Sequence, residues 1–238
     1  MTAAPLQWHD AMASTQDEAH RLAAAGAAHG SAVAARVQTD GRGTRGRAWS
    51  SGAGGLWLSV VCRPGPGAAT ELVGLRVGLA LADLLDRRLP PPHRIALKWP
   101  NDLYLGPRKL GGILVEARWQ GDVLGWMVIG VGINLRNEIP PELIATSIRL
   151  ADVGLPADAE SLALPVAHAV AEAARHAAPL STAEVRAFES RDWLRGREVV
   201  LPEPGVADGI TAGGRLRVRG TGGTVTEVVA PVQLAGPP

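Results

Sequence analysis

A loop rich in glycine and arginine, residues 36–51, constrains the fold more than any other stretch. It reads RVQTDGRGTRGRAWSS and interleaves three glycines with arginines. Such a loop cannot be core, because arginine is almost never fully buried without a partner and glycine loses the most conformational freedom on folding. Guanidinium groups bind carboxylate or phosphate through paired hydrogen bonds, and glycines let backbone N–H groups approach the same anion. We therefore expect a small anionic ligand here.

Gly41, Gly43 and Gly46 of this loop also match the G-x-G-x-x-G spacing of dinucleotide-binding folds. That fingerprint requires a helix to begin inside the glycines, whereas here a strand-like run, residues 56–62, comes next. The fingerprint also requires an acidic residue at a strand end about twenty positions later. The acidic residue nearest that distance, Glu71, lies in a predicted helix instead. The context therefore argues against a dinucleotide site.

The composition is that of an ordinary globular protein. The 238 residues are 46% hydrophobic and 20% charged, and the net charge of +1 favours neither DNA nor a membrane surface as partner. The only cysteine, Cys62, lies in an apolar run, where a buried thiol is expected rather than a nucleophile. The six histidines lack metal-ligand spacing, and neither a signal peptide nor a long apolar run is present. We expect a cytoplasmic protein.

Apolar and β-branched runs bounded by turn residues predict strands. They cover residues 6–9, 32–38, 56–62, 95–99, 103–105, 108–119 and 123–135. Gly121-Asp122 is expected to join the last two as a hairpin. Gly130 and Gly132 lie inside the last strand, where either close strand packing or the approach of a ligand explains them equally well.

Helix signals lie between and after these strands. Thr15 is expected as an N-cap with Glu18 completing a capping box, and Gly26 ends that helix. A helix start alone explains Ser14-Thr15-Gln16 without any ligand. Later elements follow from similar signals. They are helices at 71–88 and 159–176, an irregular loop at 136–146, a short helix capped by Ser147, and a helix opened by Ser181 and Glu184 that ends near Gly196.

The order of elements predicts an α+β fold with a mixed sheet flanked by helices. We expect two domains, a main domain at residues 1–194 and a small C-terminal β-barrel at residues 195–238. Strands of that barrel are predicted at 199–201, 215–219 and 224–229, separated by Gly and Pro turns.

Polar residues punctuate the strand ends of the main domain. Lys98 precedes Asn101 and Asp102, Lys109 precedes two glycines, and Asn134 follows two more. Lysines at strand ends also prevent the pairing of exposed sheet edges, so each of these polar positions has a structural explanation by itself. Together with the arginine loop they predict one polar crevice. Fixed cations there suit a reaction between two anions, such as a carboxylate attacking the α-phosphate of a nucleotide.

Four ordered motifs resemble those of the biotin protein ligase family, closely from Ser14 to Asn134 and thinly afterwards. They are GRGTRGRAW (41–49), KWPNDLY (98–104), RKLGGILVE (108–116) and VIGVGINL (128–135). The resemblance implies a fold related to class II aminoacyl-tRNA synthetases and lipoate ligases, with an SH3-like C-terminal barrel. Some members carry an N-terminal DNA-binding domain. Here the catalytic pattern begins by Ser14, so we expect the monofunctional type, a monomer or homodimer that binds no DNA.

The resemblance implies ATP-dependent, AMP-forming biotin–[acetyl-CoA-carboxylase] ligase activity. Biotin and ATP, with Mg²⁺ accompanying the nucleotide and no fixed protein ligands for the metal, would give biotinyl-5′-AMP. The biotinyl group would then pass to a lysine of a biotin carboxyl carrier protein. Two alternatives remain, a lipoate or octanoate ligase of the same fold and a non-catalytic biotin-binding protein.

Site residues carried over from the family fall into three groups. The biotin contacts are Ser14, Thr15, Gln16, Gln38, Gly43, Thr44, Arg45 and Lys109. The nucleotide contacts are Arg42, Arg45, Arg47, Trp49, Asn101, Gly130, Gly132 and Asn134. The catalytic residues are Lys109, which stabilises the reacting carboxylate, Asp102, which orients or deprotonates the incoming amine, and Arg45. Two explanations of Trp49 are equally good: it forms a lid over the site, or it belongs to the hydrophobic core.

Two positions depart from the family pattern. Gln16 replaces an asparagine, which lengthens the amide at the helix start, and Thr44 stands where the loop often has another arginine. One anion contact is therefore missing at position 44.

We predict that the variant Thr44→Arg holds biotinyl-5′-AMP longer than the wild-type protein does. A charged hydrogen bond to the phosphate would slow release on the order of tenfold. A chase of trapped intermediate measures the rate, with Thr221→Arg, outside the four motifs, as the control. Equal release rates from wild type and Thr44→Arg would contradict the prediction.

Overall fold

The computed structural model describes residues 5–63, 65 and 70–235, which form two β-sheets and four α-helices. The first sheet contains β1 (Leu6–Met12), β2 (Ala32–Gln38), β3 (Leu56–Cys62), β4 (Ile95–Lys98), β5 (Asp102–Leu105), β6 (Arg108–Gln120) and β7 (Val123–Ile133). The second sheet contains β8 (Glu198–Leu201), β9 (Gly205–Ile210), β10 (Leu216–Arg219), β11 (Val225–Val228) and β12 (Gln233–Leu234). The helices are α1 (Thr15–Ala24), α2 (Thr70–Asp86), α3 (Ala159–Ala173) and α4 (Thr182–Glu189).

The first sheet is mixed, as the sequence predicts for an α+β fold. Its strand order is β1-β2-β3-β7-β6-β5-β4, with β1 and β2 parallel and the remaining pairs antiparallel. A parallel pair needs a crossover connection, and α1 supplies it between β1 and β2. None of the helices in the described part of the chain is long and apolar enough to cross a membrane.

Alternation along the strands divides the apolar residues between the two faces of the first sheet. Leu58 and Val60 of β3 belong to the large core that α2 and α3 cover. Val61 and Val128 point to the opposite face, where they pack under α1. Cys62 is buried as expected, and burial raises the pKa of its thiol to about 12. Because α1 is only ten residues long, part of that second face lies beyond its N-terminus.

The predicted strands agree closely with the structure where apolar runs have clear boundaries. Strands 32–38 and 56–62 match β2 and β3, and Gly121-Asp122 joins β6 to β7 as a hairpin. Strand β9 was missed because its sequence, GVADGI, contains two glycines and an aspartate, which strands disfavour. The two-residue strand β12 was missed as well.

Three predicted helix boundaries are wrong. Ser14, not Thr15, is the N-cap of α1, because the Thr15 hydroxyl bonds to Gln38 instead. Ser147 is not a cap and instead pairs with Lys109 in an isolated β-bridge, while the expected short helix is a 3-10 helix, Leu150–Val153, with Arg149 as its N-cap. The capping box of Ser181 is present, but α4 ends at Glu189.

The chain after α4 attaches the second sheet to the edge of the first. The Leu97 N–H donates to Arg191 O at 2.8 Å, and the Trp193 N–H donates to Leu97 O at 2.9 Å. The indole N–H of Trp99 donates to Gly214 O at 2.8 Å. In the described residues the second sheet is an open antiparallel series, β11-β10-β9-β8-β12, rather than a closed barrel.

Candidate functional site

A cavity of about 400 Å³ opens on the sheet face beyond the N-terminus of α1. Two rows of paired residues form its floor. One row is Ser59, Gly130 and Leu114, and the other is Trp57, Gly132, Gly112, Asp102 and Lys98. Three glycines in adjacent positions leave the sheet bare there, which creates the space between α1 and the arginine loop.

The end of the cavity nearest α1 is a neutral hydrogen-bond network. The Thr15 backbone N–H donates to Gln38 Oε1 at 2.8 Å, and the Thr15 hydroxyl lies 2.9 Å from both Gln38 Oε1 and the Ser59 hydroxyl. Ser59 donates to Gln16 Oε1 at 2.9 Å. Each hydroxyl has a single proton, so while Ser59 donates to Gln16, the Thr15 hydroxyl donates either to Gln38 or to Ser59 but not to both. This end offers oriented dipoles without net charge.

Gln16, the longer amide at the helix start, lies over Gly130. A Cβ built on Gly130 would lie 2.7 Å from Gln16 Oε1, so the glycine makes room for the side chain. The Gln16 amide N–H donates to Val128 O at 3.1 Å. Packing inside the protein therefore accounts for Gly130.

Trp49 lies on the bare patch formed by Gly112 and Gly132, which are paired across β6 and β7. A Cβ on Gly132 would come within 2.8 Å of Trp49 Nε1, and one on Gly112 within 3.4 Å of the ring. The Trp49 Nε1 atom is buried without a hydrogen-bond partner among the described residues. A buried indole N–H without a partner is unfavourable, so the ring can leave this patch and a ligand can take its place.

Lys109 and Asp102 form an ion pair at the opposite end of the cavity. Lys109 Nζ lies 2.6 Å from Asp102 Oδ1, with 24% and 19% of the two side chains exposed. Lys109 Nζ also lies 5.1 Å from the centre of the Trp49 ring. Hydrogen bonds to Thr146 O and from the Ile148 N–H fix the backbone of Lys109.

Arg42 ties the arginine loop to the rest of the fold. It donates to both carboxylate oxygens of Asp17, one at 2.8 Å, and its Nε lies 3.5 Å from Glu116 Oε1. Glu116 is also 2.9 Å from His20 Nε2, and Trp126 donates to His20 Nδ1. The hydrogen bond from His20, with the Arg42 charge nearby, lowers the pKa of Glu116 to about 2. Glu116 therefore remains ionised at neutral pH.

The tip of the loop carries the other two arginines. Arg47 donates to the carbonyl and hydroxyl oxygens of Thr44 at 3.4 and 3.3 Å. Arg45 has a φ of 61°, an uncommon conformation for a residue with a side chain. Its side chain is exposed and does not line the cavity.

Apart from Arg45, every site residue expected from the sequence lines this one cavity. These residues are Ser14, Thr15, Gln16, Gln38, Arg42, Gly43, Thr44, Arg47, Trp49, Asn101, Asp102, Lys109, Gly130, Gly132 and Asn134. Sequence reasoning missed Ser59, Tyr104 and Asn137. Ser59 had a signal, since it is the one polar residue in the apolar strand β3.

Two asparagines of the cavity are held by the protein itself. The Asn101 side chain donates to Ile113 O at 2.7 Å, and the Ile113 N–H donates back to Asn101 O. Asn134 Oδ1 accepts from Asn137 at 3.2 Å. Contacts within the protein thus orient both amides.

The chain is similar to a known protein family and to several of its members. Residues 10–134 match the family model described as Biotin/lipoate A/B protein ligase family. The chain is 37% identical over 150 residues to the bifunctional ligase/repressor BirA of Bacillus subtilis, covering 60% of this chain and 46% of that protein. It is 41% identical over 123 residues to the biotin–[acetyl-CoA-carboxylase] ligase of Paracoccus denitrificans, covering 51% of each. The chain spans about half the length of the curated relatives it matches.

Solved structures resemble nearly the whole length of the chain. Biotin protein ligase from Aquifex aeolicus in complex with biotin and ATP superposes with a TM-score of 0.78 at 25% identity. The match covers 97% of this chain and 99% of that one.

We predict that Gly132→Ala displaces Trp49 from the sheet, because the new methyl group would overlap the indole. The expected cost is about 1–3 kcal/mol of unfolding free energy. The emission of Trp49, isolated as the difference from a Trp49→Phe background, should become more accessible to acrylamide. Gly222→Ala, where a Cβ meets nothing within 4 Å, is the control. An unchanged Trp49 signal in Gly132→Ala would show the prediction to be wrong.

Proposed function

The chain belongs to the biotin/lipoate A/B protein ligase family, and from this premise we propose that it is a biotin–protein ligase. It activates biotin with ATP to biotinyl-5′-AMP and transfers the biotinyl group to a lysine of a biotin carboxyl carrier protein, such as that of acetyl-CoA carboxylase. One observation carries the proposal: a single cavity has a neutral hydrogen-bonding end at Thr15 and Gln38 and a cationic end at Lys109.

The neutral end suits the ureido ring of biotin, which offers two N–H donors and a carbonyl acceptor. Hydroxyls and amides can match such a ring without the desolvation cost of a charge. Ser14, Thr15, Gln16 and Gln38 supply those groups, with Gly43 and Thr44 of the loop across from them. A lipoyl or octanoyl chain has no polar group for this network, which favours biotin over the lipoate or octanoate alternative.

The cationic end suits activation. A biotin carboxylate oxygen attacks the α-phosphorus of ATP, the bond to the pyrophosphate oxygen breaks, and pyrophosphate leaves with that electron pair. Lys109 would bind the reacting carboxylate and the developing charge, which requires its ammonium to leave Asp102. Arg42, Arg45 and Arg47 would order over the phosphates, and the loop tip must close for Arg45 to do so.

Transfer uses the carboxylate released from that ion pair. The carrier lysine must be neutral to attack the acyl carbon, and Asp102 would accept or orient its proton. The new C–N bond forms as the C–O bond to phosphate breaks, and AMP leaves.

The nucleotide would lie along Asn101, Gly130, Gly132 and Asn134, with the Trp49 ring moved from Gly132 to cover it. The Aquifex aeolicus relative holds biotin and ATP in one structure, which supports neighbouring subsites. The described residues contain no cluster of three or more His, Cys, Asp or Glu that could cage a metal. We propose that Mg²⁺ accompanies ATP, is held mainly by phosphate and water, and lies beside Asn134. The ion would neutralise the departing pyrophosphate.

We assign residues 1–194 to the catalytic domain and residues 195–238 to a second domain of SH3-like type. The five antiparallel strands of the second sheet support the latter assignment. We further propose that the protein acts in the cytoplasm as a monomer or homodimer without binding DNA.

The direct test is the mass of a carrier domain after incubation with this protein, ATP, Mg²⁺ and biotin. We expect a gain of one biotinyl group that disappears when any component is omitted. Biotin binding without any biotin-dependent ATP–pyrophosphate exchange would instead identify a non-catalytic binding protein.

We predict that Lys109→Ala loses mainly the activation step. Biotin-dependent ATP–pyrophosphate exchange should fall on the order of a hundredfold, because one electrostatic stabiliser of the transition state is gone. Transfer from supplied biotinyl-5′-AMP should fall far less. Arg118→Ala, which removes an exposed cation further along β6, is the control. Wild-type exchange in Lys109→Ala would count against this role.

A further inference from the structure

The chain has only two lysines, Lys98 and Lys109, and both line the cavity. The other twenty-two of its twenty-four Lys and Arg residues are arginines. Lysine differs from arginine in having a compact ammonium whose pKa responds readily to burial. Lys109 already has a role in the proposed reaction, whereas Lys98 has none.

Lys98 is held by aromatic rings rather than by a carboxylate. Its Nζ lies 5.4 Å from the centre of the Tyr104 ring, 5.0 Å from that of Trp193, and 3.4 Å from the Tyr104 hydroxyl. Asp102, directly opposite on β5, pairs with Lys109 instead. Among the described residues no carboxylate forms an ion pair with Lys98. A half-buried ammonium in this state retains its attraction for an anion.

Trp193 comes from the chain that leads into the second sheet, yet it is firmly held against the first. Only 7% of it is exposed. Its backbone N–H donates to Leu97 O, and its indole N–H donates to Gly106 O at 3.1 Å. Its ring packs on Tyr104 with centroids 4.5 Å apart, and the guanidinium of Arg197 lies 3.6 Å from the ring centre. Four contacts thus fix the ring beside Lys98.

We propose that Lys98 is a further phosphate-binding cation of this site and that Trp193 is the positioning residue that holds it there. The inference rests on the proposed function, since the ligand class is the phosphate group of the nucleotide. An aromatic face holds a cation without neutralising it, so the charge of Lys98 remains available. The linker to the second sheet, residues 190–197, lies outside the cavity but thereby acts on the nucleotide site through Lys98.

The position of Lys98 in the sheet supports this role. Lys98, Asp102, Gly112 and Gly132 are cross-strand neighbours in one row, so Lys98 lies on the same face as the bare floor of the cavity. Burial, followed by the nearby charge of Lys109, lowers the pKa of Lys98, while Asp102 opposes the shift. The ammonium is therefore present below its lowered pKa and lost as the pH rises through it, and a bound phosphate would raise that pKa again.

The first test is the KM for ATP in biotin-dependent pyrophosphate exchange. We expect Trp193→Leu to raise it roughly tenfold, the loss expected when a cation loses its aromatic support. Trp193→Phe keeps an aromatic face and should restore most of the affinity. Trp119→Leu makes the same change at a 55% exposed position outside the cavity and should leave KM unchanged. Thermal unfolding of each variant identifies any that fail to fold.

The second test reads Lys98 directly and needs no activity. Reductive methylation with ¹³C-formaldehyde labels both lysines and the α-amino group, and Lys98→Arg identifies the Lys98 signal. We expect the pKa read from this signal to lie below the ordinary lysine range. Mg-ATP should raise that pKa, and so should Trp193→Leu, because water then reaches the ammonium. The charged groups that contribute to the titration of Lys98 are Asp102, Lys109, Arg197 and Arg47. The Tyr104 hydroxyl and the Trp193 ring are its uncharged neighbours.

The two tests separate the failure of this inference from the failure of the proposed function. If the wild-type protein catalyses no biotin-dependent exchange, the proposed function fails, and the Mg-ATP shift of the Lys98 signal alone decides the inference. An unchanged KM and an unchanged Lys98 titration in folded Trp193→Leu would overturn the positioning role. A Lys98 signal that does not respond to Mg-ATP would overturn the phosphate-binding role.

Discussion

The pairing of Gly112 with Gly132 across β6 and β7 is the constraint on which the site depends. A side chain at Gly132 would overlap the Trp49 indole, and even a Cβ at Gly112 would lie in contact with the ring. With Gly130, over which Gln16 of α1 lies, they leave a strip of the sheet without side chains. The arginine loop then closes over that strip, because Arg42 anchors it to both α1 and β6 through Asp17 and Glu116. The cavity is therefore a consequence of missing side chains as much as of the groups that line it.

Charge in the cavity is balanced mainly by partners within the protein. Lys109 is neutralised by Asp102, and Arg42 by two carboxylates, so ligands with phosphate or carboxylate groups must exchange for existing partners. Such exchange costs less than charging an apolar cavity, since the groups are already desolvated together. Lys98 differs because aromatic rings, not carboxylates, surround its ammonium.

The sequence predicted those parts of the molecule whose signals are local. Strands β2 and β3 were found because apolar runs end at clear turn residues, and the cavity residues were found because four motifs carry them. Thr15 was misread as a cap because its hydroxyl bonds to Gln38, a partner that no local rule reveals. The contact between Trp193 and Lys98 was also out of reach. It depends on the linker pairing with β4, and these two residues are far apart in the chain.

The linker, residues 190–197, also affects β4, one of the two edge strands of the first sheet. Both outward backbone groups of Leu97 are bonded to the linker, while the Ile95 N–H and carbonyl are taken by the side chains of Asp86 and Arg191. An edge with no free donor or acceptor cannot template an incoming strand from another molecule. Pairing of a second copy with this edge is thereby blocked, so any pairing of two copies that extends the first sheet would have to involve β1 on the far side.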